Sequence, residues 1–93
     1  MHLKFAWNVA KAAENRRRHG VSFGEALTVF GNPLAQIFDD PDHSAEEIRE
    51  IIIGHSARNR LLVVSFTERA DKLRIISARC ATGRERESYE EGS

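Results

Sequence analysis

The segment Arg60 to Phe66 constrains the fold of this chain more than any other, because it is apolar on both faces when extended. Leu62, Val64 and Phe66 point one way, and Leu61, Val63, Ser65 and Thr67 point the other. A strand with two apolar faces belongs at the centre of a sheet. Its neighbours follow in the sequence: Ile48 or Arg49 to Gly54 on one side and Leu73 to Ala78 on the other. The loops around Arg58-Asn59 and Ala70-Asp71 are short and polar, and loops this short imply antiparallel pairing. In the third of these strands, simple alternation puts Arg74, Ile76 and Ala78 on one face and Ile75, Ser77 and Arg79 on the other.

The N-terminal third reads as strand, helix, helix. His2 to Trp7 alternates with Leu3, Phe5 and Trp7 on one side, the pattern of a half-buried strand. Asn8 is a good N-cap and His19-Gly20 a stop, so a helix runs from about Val9 to His19, its last turn crowded by Arg16, Arg17, Arg18 and His19. Ser22 with Glu25 forms a capping box for a second helix, in which Phe23, Ala26, Leu27 and Phe30 share one buried face. Gly31-Asn32-Pro33 ends it. Leu34 to Phe38 is a further short strand, Asp39 to His43 a turn, and Ser44 to Glu47 a capped helical turn. Thr82 and Glu85 make another capping box, opening a last helix from about Gly83 to Glu90 that has almost no apolar face and docks chiefly through Tyr89 and arginine stems.

The expected architecture is α+β: a small antiparallel sheet, two N-terminal helices packed on one face and a C-terminal helix, with the other face available for a ligand. A chain of 93 residues allows a single domain, residues 1–93, with one modest core. The lone Cys80 excludes an intramolecular disulfide, and no cysteine spacing suits a metal. His2, His43 and His55 share no short spacing with His19, so no metal or other cofactor is expected. With no apolar run approaching a membrane span, the expectation is a soluble, cytoplasmic protein with no membrane partner.

The net charge of zero hides blocks of opposite sign. Residues 1–30 balance to +3, 31–50 to −5, 51–86 to +5 and 87–93 to −3, so a fold that joins the two basic blocks would make a surface for polyanions. Arg79 sits on a strand end, where a guanidinium has a fixed direction and can donate two hydrogen bonds to a phosphate, or instead pair with Glu68 or Glu85. His19 can serve as general acid or base in cleaving RNA, or simply cap the carbonyls of its helix.

Two separated motifs carry a resemblance. Phe5, Trp7-Asn8, Lys11, Asn15, Arg18-His19-Gly20, Phe23 and Ala26 form the first; Arg60-Leu61-Leu62, Thr67-Glu68-Arg69, Arg74 to Arg79, Glu85-Arg86 and Tyr89 form the second. Together they resemble the BrnT family of toxins from bacterial type II toxin–antitoxin systems, nearly end to end. The departures are Asn8 where aspartate is usual, Asn59 where glycine often stands, and Cys80 and Gly83 at frequently basic positions.

The resemblance implies a RelE-like fold and a metal-independent endoribonuclease that inhibits translation. It implies a BrnA-like antitoxin with a ribbon-helix-helix part, a heterotetramer with it, and contact with operator DNA only through it. In that reading Arg79 and Arg60 hold the scissile phosphate, His19 or Glu68 is the base, and Lys11, Arg69, Arg84, Arg86 and Tyr89 bind RNA. The alternative is a weak or inactive partner-binding module acting as co-repressor. A DNA-binding repressor in its own right is disfavoured, because the short second helix carries Phe23, Glu25 and Leu27 where base-reading side chains would stand.

Overall fold

The computed structural model describes residues 4–40 and 48–92. The expectations for His2, Leu3 and the turn through His43 to Glu47 therefore lie outside the described residues, apart from Asp39 and Asp40. The elements run β1 (Lys4–Ala6), α1 (Val9–His19), α2 (Phe23–Leu27), a 3₁₀ turn (Thr28–Gly31), β2 (Gln36–Asp39), β3 (Arg49–His55), β4 (Leu61–Arg69), β5 (Lys72–Cys80) and α3 (Gly83–Glu91). The sheet order is β1-β5-β4-β3-β2, which puts β4 in the middle.

The two loops beside β4 make antiparallel pairs, as their lengths require. Each turns through a residue in the left-handed region, Asn59 at φ 61° and Ala70 at φ 57°. Asparagine tolerates that conformation by bonding locally, which accounts for its standing in for glycine at position 59. The sheet is nonetheless mixed and not antiparallel throughout, since β1 runs parallel to β5. These strands are far apart in sequence, so no hairpin dictates their direction.

Helices α1 and α2 begin and end on the signals in the sequence. Asn8 Oδ1 accepts from Lys11 N at 3.0 Å, and Gly20, at φ 69°, donates its N–H to Arg16 O. Ser22 Oγ likewise accepts from Glu25 N. The Glu25 carboxylate does not complete the expected capping box, because it is bound elsewhere, to Arg60 and Ser56. After Leu27 the chain tightens into the 3₁₀ turn and rotates Val29 fully into the core, while Leu27 and Phe30 remain partly exposed. Gly54 of β3 lies directly beneath: a Cβ there would come within 2.8 Å of Ala35 Cβ and 3.2 Å of Val29.

The main core lies between α1, α2 and one sheet face, with Val21, Phe23, Ala26 and Val29 against Ile52, Leu62, Val64, Phe66, Ile75 and Ala78. An edge-to-face series, Phe5 to Phe30 at 5.2 Å and Phe30 to Phe66 at 5.0 Å, stitches β1 and the 3₁₀ turn to β4. Ala78 reaches this core only because of a bulge. Ser65 pairs with Ser77 and Phe66 with Ile75, leaving Ile76 as the extra residue. The expected alternation is thereby reversed past the bulge, so Ala78 joins Ile75 in the core and Arg79 moves to the other face. Nor is that face left open at this end. Helix α3 covers it, with the Tyr89 ring edge-on to His55 at 5.8 Å and its hydroxyl donating to Leu34 O at 3.0 Å.

Candidate functional site

Among the described residues no strand continues the pairing of β1 with β5 past Ala6, so this edge of β5 would face α1 unpaired. Asn15, buried on α1, fills the gap. Its Oδ1 accepts from Ala78 N at 3.1 Å, and its Nδ2 donates to Ala78 O at 2.8 Å and to Val21 O at 3.0 Å. The side-chain amide thus bonds to β5 as an adjacent strand residue would, and also fixes the turn after α1. Trp7 stands edge-on to Phe23 at 6.0 Å. Three positions of the first motif, Trp7, Asn15 and Gly20, therefore have structural roles.

Next to this amide is a cleft of about 220 Å³ lined by Lys11, Glu14, Asn15, Arg18 and His19 of α1 and by Ile76 and Ser77 of the bulge. Two of the basic positions, Lys11 and Arg18, fall seven residues apart and so stack on one helix face; His19 arrives from the adjoining face. The bulge supplies the opposite wall. Glu14, which the sequence reading passed over, also pairs with Arg17. The i, i+3, i+7 spacing of Lys11, Glu14 and Arg18 was the signal that could have found it.

The expected arginines are elsewhere. Arg60 donates through Nε to Glu25 Oε2 at 2.9 Å, through a terminal nitrogen to Glu25 Oε1, and to Gly20 O at 3.2 Å. Its partner carboxylate is almost wholly buried and also accepts from Ser56 Oγ at 2.7 Å. The Arg60 hydrogen bond holds the Glu25 carboxyl below its usual range, against the opposing effect of burial. This buried ion pair ties the start of β4 to α2 and to the end of α1. Arg79 donates two parallel bonds to Glu85, at 2.7 and 2.8 Å, on the α3 face. Arg79, helped by the Thr82 N–H, lowers the Glu85 carboxyl to about 2. Glu85 completes the capping box as well, accepting from Thr82 N at 2.9 Å.

Arg60 and Arg79 therefore lie on opposite faces of the sheet, each with its fork held by a carboxylate. Glu68 is exposed near the far end of β4, about 26 Å from Arg60 at the usual rise of a strand. Arg69 follows it beside the turn into β5, and Arg84 and Arg86 are exposed on α3. Tyr89 is only 5 % exposed and anchors α3 instead of presenting its ring to solvent. Of the residues expected to act on RNA, the fold brings Lys11 and His19 together, with Arg60 reaching the carbonyl just beyond His19. Among the described residues no three His, Cys, Asp or Glu side chains are grouped as metal ligands.

Comparison with known proteins agrees with this architecture. The chain is similar to the crystal structure of the ribonuclease toxin BrnT of Brucella abortus, with a TM-score of 0.69 and 24% identity, covering 87% of this chain and 99% of that one. At that identity the likeness establishes the fold. No curated protein matches the sequence. A family model described as the ribonuclease toxin BrnT of a type II toxin–antitoxin system matches residues 7–85, from the tryptophan that packs on α2 to the glutamate that caps α3. The chain belongs to that family of ribonuclease toxins.

Proposed function

We propose that this chain is a metal-independent endoribonuclease that inhibits translation, and that the cleft between α1 and the β5 bulge is where it engages RNA. The observation that carries this reading is the convergence of Lys11, Arg18 and His19 on one cleft, walled on its far side by Ile76 and Ser77 of the bulge. Lys11 and Arg18 hold the non-bridging oxygens of a phosphate and offset the charge that builds on them. The 2′-oxygen forms a bond to phosphorus and the bond from phosphorus to the 5′-oxygen breaks. His19 accepts the 2′-hydroxyl proton and solvent supplies one to the departing 5′-oxygen. Arg69, Arg84 and Arg86 add longer-range attraction for the strand.

In this proposal Arg60 and Arg79 are positioning residues that hold the ends of α1 and α3. Regulation comes through a BrnA-like ribbon-helix-helix antitoxin, in a heterotetramer that meets operator DNA through the antitoxin, in the cytoplasm. The test is cleavage of a single-stranded RNA in the presence of a chelator, for the native chain and for His19→Ala, Lys11→Ala and Arg79→Lys. Cleavage lost in the first two variants and retained in the third is the expected result. Equal cleavage by the native chain and His19→Ala would remove His19 from the reaction.

The second reading, a weak or inactive module that binds its partner, is favoured by one observation. Both arginines expected to clamp phosphate already hold carboxylates, Glu25 and Glu85. A chain that binds antitoxin tightly and cuts no RNA would establish it.

A further inference from the structure

Among the described residues, four of the five large apolar side chains most exposed gather around one edge of the sheet: Leu34, Ile37, Phe38 and Ile48, between 49 and 71 % exposed. The edge is β2, and it is the opposite edge from the one nearest the RNA cleft. Asp40 N donates to Arg49 O at 2.9 Å, continuing the β2–β3 register. Antiparallel alternation then turns Gln36 and Phe38 inward to β3 and points the N–H and C=O groups of Ile37 and Asp39 outward. Among the described residues nothing pairs with that outer edge.

Beside it, on the helix face of the sheet, Phe30, Ile37, Ile52 and Phe66 line a groove of about 310 Å³ that also contains Glu50 and Glu68. Ile37 thus presents to the groove, and Phe38 presents to the opposite face. The described residues of this edge and groove carry the acids Asp39, Asp40, Glu50 and Glu68 against one base, Arg49. An exposed edge with apolar side chains on both faces is a template for strand addition, and soluble proteins otherwise avoid it.

We propose that β2 is a docking edge for an extended segment of the antitoxin that carries apolar and basic side chains on one face, at every second position. Main-chain bonds to Ile37 and Asp39 supply register, an apolar side chain fills the groove, and basic residues meet Glu50 and Glu68. A basic segment suits this surface by charge, whereas a second copy of the same acidic edge opposes itself. The proposal rests on the family's toxin–antitoxin partnership, and it locates the partner on the edge of the sheet away from the RNA cleft.

The test is hydrogen exchange of the full chain alone and in complex with a BrnA-like ribbon-helix-helix antitoxin, together with binding by Ile37→Lys and Phe38→Lys. Slowed exchange within residues 36–39, a loss of affinity of tenfold or more in both variants, and unchanged RNA cleavage by the free variants are expected. Protection confined to α1 and β5, with full affinity in both variants, would overturn the docking edge while leaving the partnership intact. Failure of any complex to form would overturn the partnership itself. Dimerisation of the chain alone that both variants abolish would show a second copy as the occupant and refute the antitoxin.

Discussion

Replacing Asn15 with alanine removes one acceptor and two donated bonds from backbone groups that have no other partner in the sheet. Ala78 is fully buried, and its N–H and C=O depend on this amide, as does the carbonyl of Val21. A lost hydrogen bond that leaves a buried group unsatisfied costs about 1–3 kcal/mol. Because Asn15 also lines the cleft, water can reach part of the vacated space, and the low end of that range applies. The expected total is roughly 3 kcal/mol, a substantial part of the 5–15 kcal/mol typical of a domain, or roughly 12–24 °C in melting temperature.

Trp7 is the single tryptophan and packs on Phe23, so its fluorescence in urea follows the region directly. Asn15→Asp separates the donors from the acceptor. It retains an acceptor for Ala78 N–H but sets a carboxylate against two carbonyl oxygens, which raises its own folded pKa. Its stability deficit should therefore grow as pH rises through the carboxylate range and shrink below it. A loss under about 1 kcal/mol for Asn15→Ala, with unchanged urea dependence, would refute the assignment of this amide as the partner of the β5 edge.

Further expectations concern the ion pairs and the cleft. Glu85 has its folded pKa lowered to about 2 from 4.5, so its contribution is complete above 4.5 and is lost as pH falls toward 2. Glu85→Gln should flatten that part of the acid-unfolding curve, and coincident curves for the two proteins would disprove the coupling. Arg60→Met should destabilise more than Arg60→Met with Glu25→Met, because the single change strands a buried carboxylate; the double-mutant cycle in urea measures the difference. Because Lys11 and Arg18 hold one phosphate between them, the double variant Lys11→Ala with Arg18→Ala should reduce the salt dependence of RNA binding by roughly 0.7 in slope, and an unchanged slope would exclude that contact.

The helices show which information is local. Their boundaries depend on groups within four residues, such as Asn8 with Lys11 N, Gly20 at φ 69° and Thr82 with Glu85, so all three starts and the end of α1 are legible in sequence. The central place of β4 is legible too, because apolar residues on both faces admit few other positions. The candidate site was legible only in its residue types. His19 and Lys11 stand in the first motif, but their meeting with Arg18 and the bulge is a tertiary event.

Three properties were decided by the tertiary structure alone. The bulge at Ile76 turns Arg79 away from the main core and brings Ala78 into it, reversing an alternation that assumes a regular ladder. Glu25 looks like half of a capping box until Arg60, distant in sequence, draws its carboxylate away; a buried bidentate charge pair is stronger than a local cap. The parallel pairing of β1 with β5 likewise leaves the later part of β5 for Asn15 to complete. Sequence thus determined the elements, whose causes are short-range caps and periodicities, along with the family. The fold determined which charges meet, because ion pairs and bulges join residues that no local pattern relates.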